Sequence, residues 1–429
     1  MFAASLSRAL RRHGIHYAWV IAVVTFCAMM TTSAALGLPG AMLRPLSAEF
    51  GWNVEQISSV FALRFVLFGL LGPFAASFIL RFGVRRVMVT AAGLIATAMI
   101  LATRVTALWQ LFLLWGLMLG IGTGLTALVL GAIVANRWFT ARRGLVLGVL
   151  AASTATGQLL FLPIAAWLIE HVGWRYAVTP VFVACLAVAS LVLLLLRDSP
   201  AELGLRAYGD EAGSATPIAP TTATPLSWRA PFVALAEAAQ VRSFWILAGT
   251  FFICGLSTNG LVQTHFISLC GDKGLAAVPA ASVLSMMGAF DLIGTTLSGY
   301  LSDRLDNRKL LFWYYGLRGL SLFWLPYSAF TLYGLSLFAL FYGLDWIATV
   351  PPTVKLVSQQ FGHERAGIVF GWVFAAHQLG AATAAYGAGL TRTLLLTYTP
   401  ALFAAGAACL LAALAVLAIA RPPRIIPAP

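Results

Sequence analysis

Charged side chains are scarce in this sequence. Asp, Glu, Lys and Arg make up 10% of the 429 residues and hydrophobic residues 60%, whereas an ordinary soluble domain is roughly a quarter charged and half apolar. That balance excludes a water-soluble globule and places the chain in a bilayer. Acids are the scarcer sign, 14 against 27 bases, which leaves a net charge of +13. In a soluble protein such an excess would raise nucleic acid as a partner. Here the cations form short clusters between apolar runs, the pattern of cytoplasmic loops in membrane proteins, so no nucleic-acid partner is expected. The five cysteines, Cys27, Cys185, Cys254, Cys270 and Cys409, lack any Cys-x-x-Cys spacing. This argues against a disulfide framework or a thiolate metal site, and no cofactor is expected. A Gly-x-x-x-x-Gly-Lys-Ser/Thr loop is also missing, so an ion gradient rather than ATP hydrolysis is the default energy source. Converging catalytic groups are not evident either. Ser257 and His265 share a span but lie eight residues apart, more than two turns, and cannot bond within one straight helix.

What the chain does have is long apolar runs. A spanning helix needs ~20 predominantly apolar residues, and twelve such segments can be laid down, at 18–38, 57–79, 87–103, 108–134, 144–169 and 176–196, then at 243–269, 280–301, 310–330, 332–356, 368–390 and 400–420. The expected fold is therefore an all-α membrane protein of twelve transmembrane helices. Between the two sets of six lies the most polar stretch, 197–242, with a Pro/Thr/Ala-rich middle from Gly213 to Pro225 that offers no apolar period to pack. It reads as a cytoplasmic linker between a first unit, 1–196, and a second, 243–429. Its end alternates Phe232, Val233, Leu235, Ala236, Ala239 and Val241 with polar residues, which predicts an interfacial helix.

The two sets repeat each other. An offset of 223 residues, with no gap, carries Arg81 onto Arg304, Arg85 onto Arg308, Gly120 onto Gly343, Gly144 onto Gly367, Gly148 onto Gly371 and Gly157 onto Gly380. Such a register marks an internal duplication into two pseudo-symmetric six-helix bundles. With the N-terminus inside, nineteen of the 27 Lys and Arg fall in inner segments and five in outer ones. That bias sets both termini in the cytoplasm and requires an even number of spans. Arg8, Arg11 and Arg12 before an apolar core resemble a signal peptide, but the run 18–38 is long enough to span, which favours a retained first helix.

Between the second and third spans of each set comes a cationic turn, Arg81-Phe-Gly-Val-Arg85-Arg86 and Gly299-Tyr-Leu-Ser-Asp303-Arg304-Leu-Asp-Asn-Arg308-Lys309. An Asp at a helix end can accept charge-assisted bonds from a neighbouring helix terminus or a cation, and so latch a gate. These residues resemble the loop signature of the major facilitator superfamily, Gly-x-x-x-Asp-Arg-x-x-x-Arg-Arg/Lys, and the duplication, span count and long linker agree. The resemblance implies gating roles for Arg81, Arg85, Asp303, Arg304 and Arg308, with any charge latch resting on Asp303, because Leu80 replaces the acid of the first copy. The stretch Trp138-Phe-Thr-Ala-Arg142-Arg143-Gly-Leu-Val-Leu-Gly148, running on to Gly157, resembles the entry to the fifth span in the monocarboxylate transporter family, and Ser47-Ala-Glu-Phe-Gly-Trp52 and Ser199-Pro-Ala-Glu-Leu-Gly204 are similar to its bacterial members. Two departures stand out: Gly40 replaces a lysine that commonly follows the first-span proline, and Thr295 replaces the arginine one turn after Asp291. If the substrate is an anion, its counter-charge must come from elsewhere.

An ionisable side chain at membrane depth costs a few kcal/mol on insertion scales, so each needs a partner, an aqueous cavity or a function. Arg64 maps by the repeat onto position 287, one turn from Asp291 on the same helix face, so the halves offer opposite charges on equivalent faces. On this reading Arg64 holds an anionic group of the substrate and Asp291 carries the coupling proton; the alternative is a fixed ion pair. Asp345, flanked by Tyr342 and Trp346 and read as buried without a cation, is a second proton-coupling candidate. Arg318 is expected to find an acid on a neighbouring span, and Lys355 to snorkel. Asn259 and Gln263 share a face of the seventh span and could bind a hydroxyl or carboxylate. His265 and His377 could shuttle protons or simply donate to backbone carbonyls. Pro351-Pro352 should break or bend the tenth span. The candidate substrate-binding residues are thus Arg64, Asn259, Gln263, Tyr342 and His377. The expected activity is secondary transport by alternating access, with a small organic anion and protons as partners, in a bacterial inner membrane. Export of a neutral metabolite or drug, or a non-transporting receptor, is the alternative.

Overall fold

The computed structural model describes residues 2–126, 129–210 and 229–420. Among them the only β feature is a single bridge between Phe139 and Tyr208, and the rest of the regular structure is helical. Eleven helices are long and apolar enough to cross a membrane. The ninth span, Asn307–Trp324, is the twelfth; it carries Arg308, Lys309 and Arg318 within 18 residues, which masks its apolar character. The other spans are Ala18–Phe50, Val54–Phe82, Val84–Ala102, Leu108–Trp138, Arg143–His171, Trp174–Leu195, Arg242–Asp272, Ala277–Ser302, Leu332–Phe361, His363–Leu395 and Thr399–Val416. The first helix runs twelve residues beyond the apolar stretch, through Pro39 and Pro45, and so carries Arg44 on its surface rather than in a loop.

The N-terminal helix Phe2–Arg12, the linker and the end of the last span lie on one face, called here the linker face. The beginning of the linker is not the unpacked segment its composition suggests. Tyr208 donates its N–H to Trp138 O at 2.8 Å, and its own carbonyl accepts Thr140 N–H at 2.9 Å. Its ring sits among His16, Trp19 and Phe139. Asp198 accepts the amide of Arg85 at 2.9 Å. Residues 197–210, running on from the sixth span, therefore strap together the ends of the first, third and fourth. The expected interfacial helix forms at Ala230–Ala238. There the carbonyl of Pro231 accepts the indole N–H of Trp372 at 2.8 Å, and Phe232 meets both Phe74 and Trp372. The Pro/Thr/Ala-rich middle, 213–225, lies outside the described residues.

The halves meet along two seams. The second span packs on the eleventh, with a Cβ at Gly371 meeting Pro73 at 3.1 Å and one at Gly389 meeting Ser58 at 2.6 Å. On the far face Glu55 accepts the Tyr386 hydroxyl at 2.7 Å. Along the other seam the fifth and eighth spans touch from mid-depth outwards, from Gly288 against Ala155 O to Glu170, which accepts Val278 N–H at 3.1 Å. Toward the linker face, by contrast, Gly144, Gly148 and Gly299 would place a Cβ with nothing within 4 Å. Between the seams the first span meets the seventh so closely that a Cβ at Gly40 would lie 2.6 Å from Gln263 O. Only glycine permits that approach.

The tenth span is a broken helix. In the fourth span one helical segment ends at Leu125, and residues 127 and 128 beyond it lie outside the described residues. The tenth stops at Asp345 and resumes at Val350, with Pro351 and Pro352 in the first turn of the second segment. Proline there loses nothing, since its missing N–H is one a helix start leaves unpaired anyway. Near the break Gly294 packs against the tenth span, and a Cβ would lie 1.9 Å from Leu344 O. Gly294→Ala is expected to cost about 1–3 kcal/mol by overpacking, while Gly299→Ala is neutral or stabilising. Thermal unfolding of the detergent-solubilised protein checks this: only the first should lower the melting temperature.

Candidate functional site

Breaking a helix at membrane depth strands backbone groups that lipid cannot satisfy, so neighbouring helices must do so. At the tenth span three side chains meet that need. Arg318, from the ninth span, donates Nη2–H to Asp345 O at 2.5 Å and to Trp346 O at 3.3 Å. Asp291, from the eighth, accepts Ile347 N–H at 2.8 Å. Ser298, about two turns further along, donates to Ala348 O at 2.6 Å. Asp291 also accepts the Thr295 hydroxyl at 2.8 Å, so the threonine standing where the resemblance leads one to expect arginine supports this carboxylate instead.

Arg318 further pairs with Asp345, Nε to Oδ2, at 2.7 Å, and donates Nη1–H to the Cys254 sulfur at 3.0 Å. This confirms an acidic partner for Arg318 and corrects the reading of Asp345 as a carboxylate buried without a cation. The two side chains are almost fully enclosed, at 1% and 6% exposure. A pair so deep is retained only with additional hydrogen bonds, and the broken backbone supplies them. Tyr342, expected to contact substrate, donates its hydroxyl to Ser257 O at 2.8 Å. Ser257 lies in the π-helical stretch Leu256–Gln263 of the seventh span. This wider turn changes the carbonyl pattern, and Thr264 correspondingly donates to Asn259 O at 2.7 Å.

The proposed pairing of Arg64 with Asp291 is not formed: among the described residues no carboxylate lies within 4.0 Å of Arg64. Arg64 is 2% exposed. Its guanidinium donates to Leu36 O at 3.1 Å and lies over the ring of Phe65 at 4.6 Å, but its Nε finds no acceptor. Leu36 adjoins Gly37, and a Cβ at Gly37 would lie 3.6 Å from Gln158 and 3.9 Å from the amide nitrogen of Gln263. Three elements thus converge at mid-depth: the first span with its Arg64 contact, the fifth with Gln158, and the seventh with Gln263. A small cavity beside them is lined by Thr154, Gln158, Asp291 and Trp346. Gln158 was missed in the sequence, although it directly follows Gly157, the last residue of the motif that marks the fifth span.

The remaining candidates separate. Asn259 is half-buried, and His377 is buried with Nδ1 lacking a partner among the described residues, its ring parallel to Phe374 and tilted against Phe251. His265 takes the structural course, with Nε2 2.8 Å from Ala385 O.

On the linker face Asp303 bonds Lys355 at 2.6 Å, and the ammonium holds its carboxyl below the usual carboxylate range. Lys355 belongs to the same half, so this pair does not cross the seam, and in this conformation Asp303 does not latch one half to the other. Arg304 lies over Tyr300 at 4.1 Å and Arg81 over Phe82 at 5.5 Å. Arg85 and Arg308 do the same work in the two halves. Arg85 donates to Leu193 O at the end of the sixth span, and Arg308 to Ile419 O just past the twelfth, at 3.1 Å. Asp198 at the helix start takes the place left empty by Leu80.

A family model described as the Major Facilitator Superfamily matches residues 21–385. An uncharacterised MFS-type transporter of Bacillus subtilis, YcxA, is 25% identical over 379 residues, 87% of this chain and 88% of its own. Monocarboxylate transporter 13 of Rattus norvegicus is 26% identical over 393 residues, 91% of this chain and 86% of its own. Among solved structures, a D-xylose-proton symporter superposes with a TM-score of 0.71 over 95% of this chain and 98% of that one, at 15% identity, a likeness of fold.

The pair at the break yields a measurable expectation. Removing one member leaves a buried charge uncompensated, which costs about 3–5 kcal/mol. Arg318→Met and Asp345→Leu should each lower thermal stability sharply, and the double variant should lose less than the sum of the two. Unfolding midpoints for the four proteins form the double-mutant cycle that checks it.

Proposed function

Because this chain belongs to the Major Facilitator Superfamily, we propose that it is a secondary transporter that moves a small organic anion, such as a monocarboxylate, together with a proton. The observation that carries this reading is Arg64, a cation enclosed at membrane depth with no carboxylate within reach and an unpaired Nε. A bare charge there costs a few kcal/mol, and an anionic solute arriving at the seam between the halves would offset that cost. Gln158, Gln263 and Asn259 would supply hydrogen bonds to its oxygens. Asp291, which faces the mid-depth cavity without a cation within 4.0 Å, is the proton-carrying candidate. Asp345 is less suited, since Arg318 neutralises it in place. Relatives described as monocarboxylate transporters, a quarter identical over nine-tenths of the chain, lend support.

In this reading the two halves rock about the mid-depth cavity, each as a unit, and the strap 197–210 keeps the first half together while it moves. The linker face would be the cytoplasmic side of a bacterial inner membrane, with both termini there. The amides of Gln158 and Gln263 favour a second reading, a neutral hydroxylated solute exchanged against protons.

Uptake of labelled organic acids into proteoliposomes under an imposed pH gradient tests the proposal. Arg64→Gln is expected to lower carboxylate uptake at least about tenfold, the loss of one buried charge-assisted bond of ~1.5–3 kcal/mol. Unchanged uptake would remove its role, and saturable transport of sugars or alcohols alone would favour the neutral solute. Asp291→Asn is expected to abolish accumulation driven by the pH gradient while leaving counterflow of labelled against unlabelled substrate. Loss of both processes together would argue against a proton role for this residue. Bound label without exchange would indicate a receptor.

A further inference from the structure

A larger and more open space lies away from the mid-depth cavity. On the far face a cavity of about 520 Å³ opens between the first span, the end of the fifth, and the connection from the seventh to the eighth. Its volume is that of a small-molecule site. Its walls are mostly aliphatic or glycine, among them Ala41, Ala48, Ile169, Ile267 and Leu275; Ser268 adds one hydroxyl, and Arg44 is the one ionisable residue in its lining. Arg44 reaches across from the first span to the seventh: a Cβ at Gly271 would lie 1.6 Å from its Nη1, so the guanidinium rests on bare backbone of the opposite half.

The acids of that face are already committed. Glu49 pairs with Arg175 at 2.5 Å and Asp272 with Arg392 at 2.6 Å. Glu55 accepts the Tyr386 hydroxyl at 2.7 Å, and Glu170 accepts the Val278 amide at 3.1 Å. No described carboxylate lies within 4.0 Å of Arg44. The cavity thus combines one unneutralised cation with an apolar wall.

Arg44 also stands at a particular depth. It is one helical turn outward from Gly40, where the first and seventh spans close on each other, and two turns from Gly37, where Gln158 and Gln263 converge. At 5.4 Å per turn, an anion on Arg44 waits about 5 Å outside the constriction and about 10 Å from the mid-depth cavity.

We infer that this far-face cavity is an access subsite, in which Arg44 binds the carboxylate of a small monoanion while its short apolar tail lies against Ala41, Ala48 and Ile267. The ligand class rests on the function proposed above, but the subsite itself can be tested apart from transport. Because the guanidinium bridges the two halves, an anion held there sits on the contact that must part for the far face to open. Arg44 is exposed at the mouth of this apolar-walled pocket, and a single cation there raises the local concentration of anions, which shows in the apparent affinity rather than in the turnover.

Two measurements test it. In proteoliposomes with labelled lactate, Arg44→Gln is expected to raise KM about tenfold with kcat within about twofold, and Arg44→Lys to restore most of the loss. Raising the salt should raise KM in the parent and not in Arg44→Gln. Independently of transport, a cysteine introduced at Ala48, an exposed wall residue one turn from Arg44, reports on the cavity directly. With Ala48→Cys an anionic methanethiosulfonate should react faster than a cationic one, that preference should fall at least fivefold in Ala48→Cys/Arg44→Gln, and lactate should protect. Lactate uptake with a KM indifferent to Arg44, or reagent preference unchanged by its removal, overturns the subsite and leaves the proposed function standing. Reagent preference and lactate protection without any lactate uptake would leave the subsite standing and overturn the proposed function.

Discussion

A helix interrupted in the middle of a bilayer exposes carbonyls and amides to a medium that can accept no hydrogen bonds, and the tenth span does this between Asp345 and Val350. The second half is organised around meeting that demand. Arg318 takes the carbonyls at the end of the first segment, Asp291 takes an amide of the gap, and Ser298 takes a further carbonyl. Once those bonds are in place, the carboxylate of Asp345 has both a reason to be charged and a cation to be charged against. Three helices are thereby fixed to one another at the depth where a solute would be met, and the ionic groups that look like chemistry in the sequence are in large part the mortar of the fold.

The duplication repeats geometry more faithfully than it repeats charge. In both halves an arginine of the cationic turn caps the last helix of the set. The triad around the break has no counterpart in the first half, where Phe68, Ile95 and Gly122 stand at the equivalent positions. There two neutral hydroxyls, those of Thr32 and Thr126, lie 2.9 Å apart. In the second half Arg318 pairs with Asp345. The first half encloses Arg64 with no described carboxylate within 4.0 Å. A symmetric scaffold with asymmetric charge is a direct way to give a passing solute one preferred place to sit.

The seams complete the picture. Tight glycine contacts close the far-face end between the first and seventh spans, while the fifth and eighth part toward the linker face. The pair Asp303–Lys355 and the cap of Asp198 each serve their own half. Those contacts favour two stiff bodies with a deformable junction, which is the mechanical condition for alternating exposure of a site between them.

Membrane residence, twelve spans, duplication and a central polar connection were legible in the residues alone, because hydropathy length, cation bias and a gapless glycine–arginine register are one-dimensional properties. The partner of Arg318 could be guessed as an acid, and a break near Pro351 followed from proline's missing N–H. The identity of that acid could not be read, nor that Asp291 would cap Ile347 rather than face Arg64, nor that Asp198 would stand in for the acid absent at Leu80. Each depends on which helix faces lie opposite one another, and the first half's apolar runs say nothing about rotation. Gln158, Arg44 and the strap around Tyr208 were hidden for the same reason: a glutamine beside a glycine, an arginine past a proline and an aromatic in a linker carry no period. Sequence determined how many helices there are and where the charges lie along them; only the packing of those helices decided which charges answer each other and that Arg64 meets no described carboxylate.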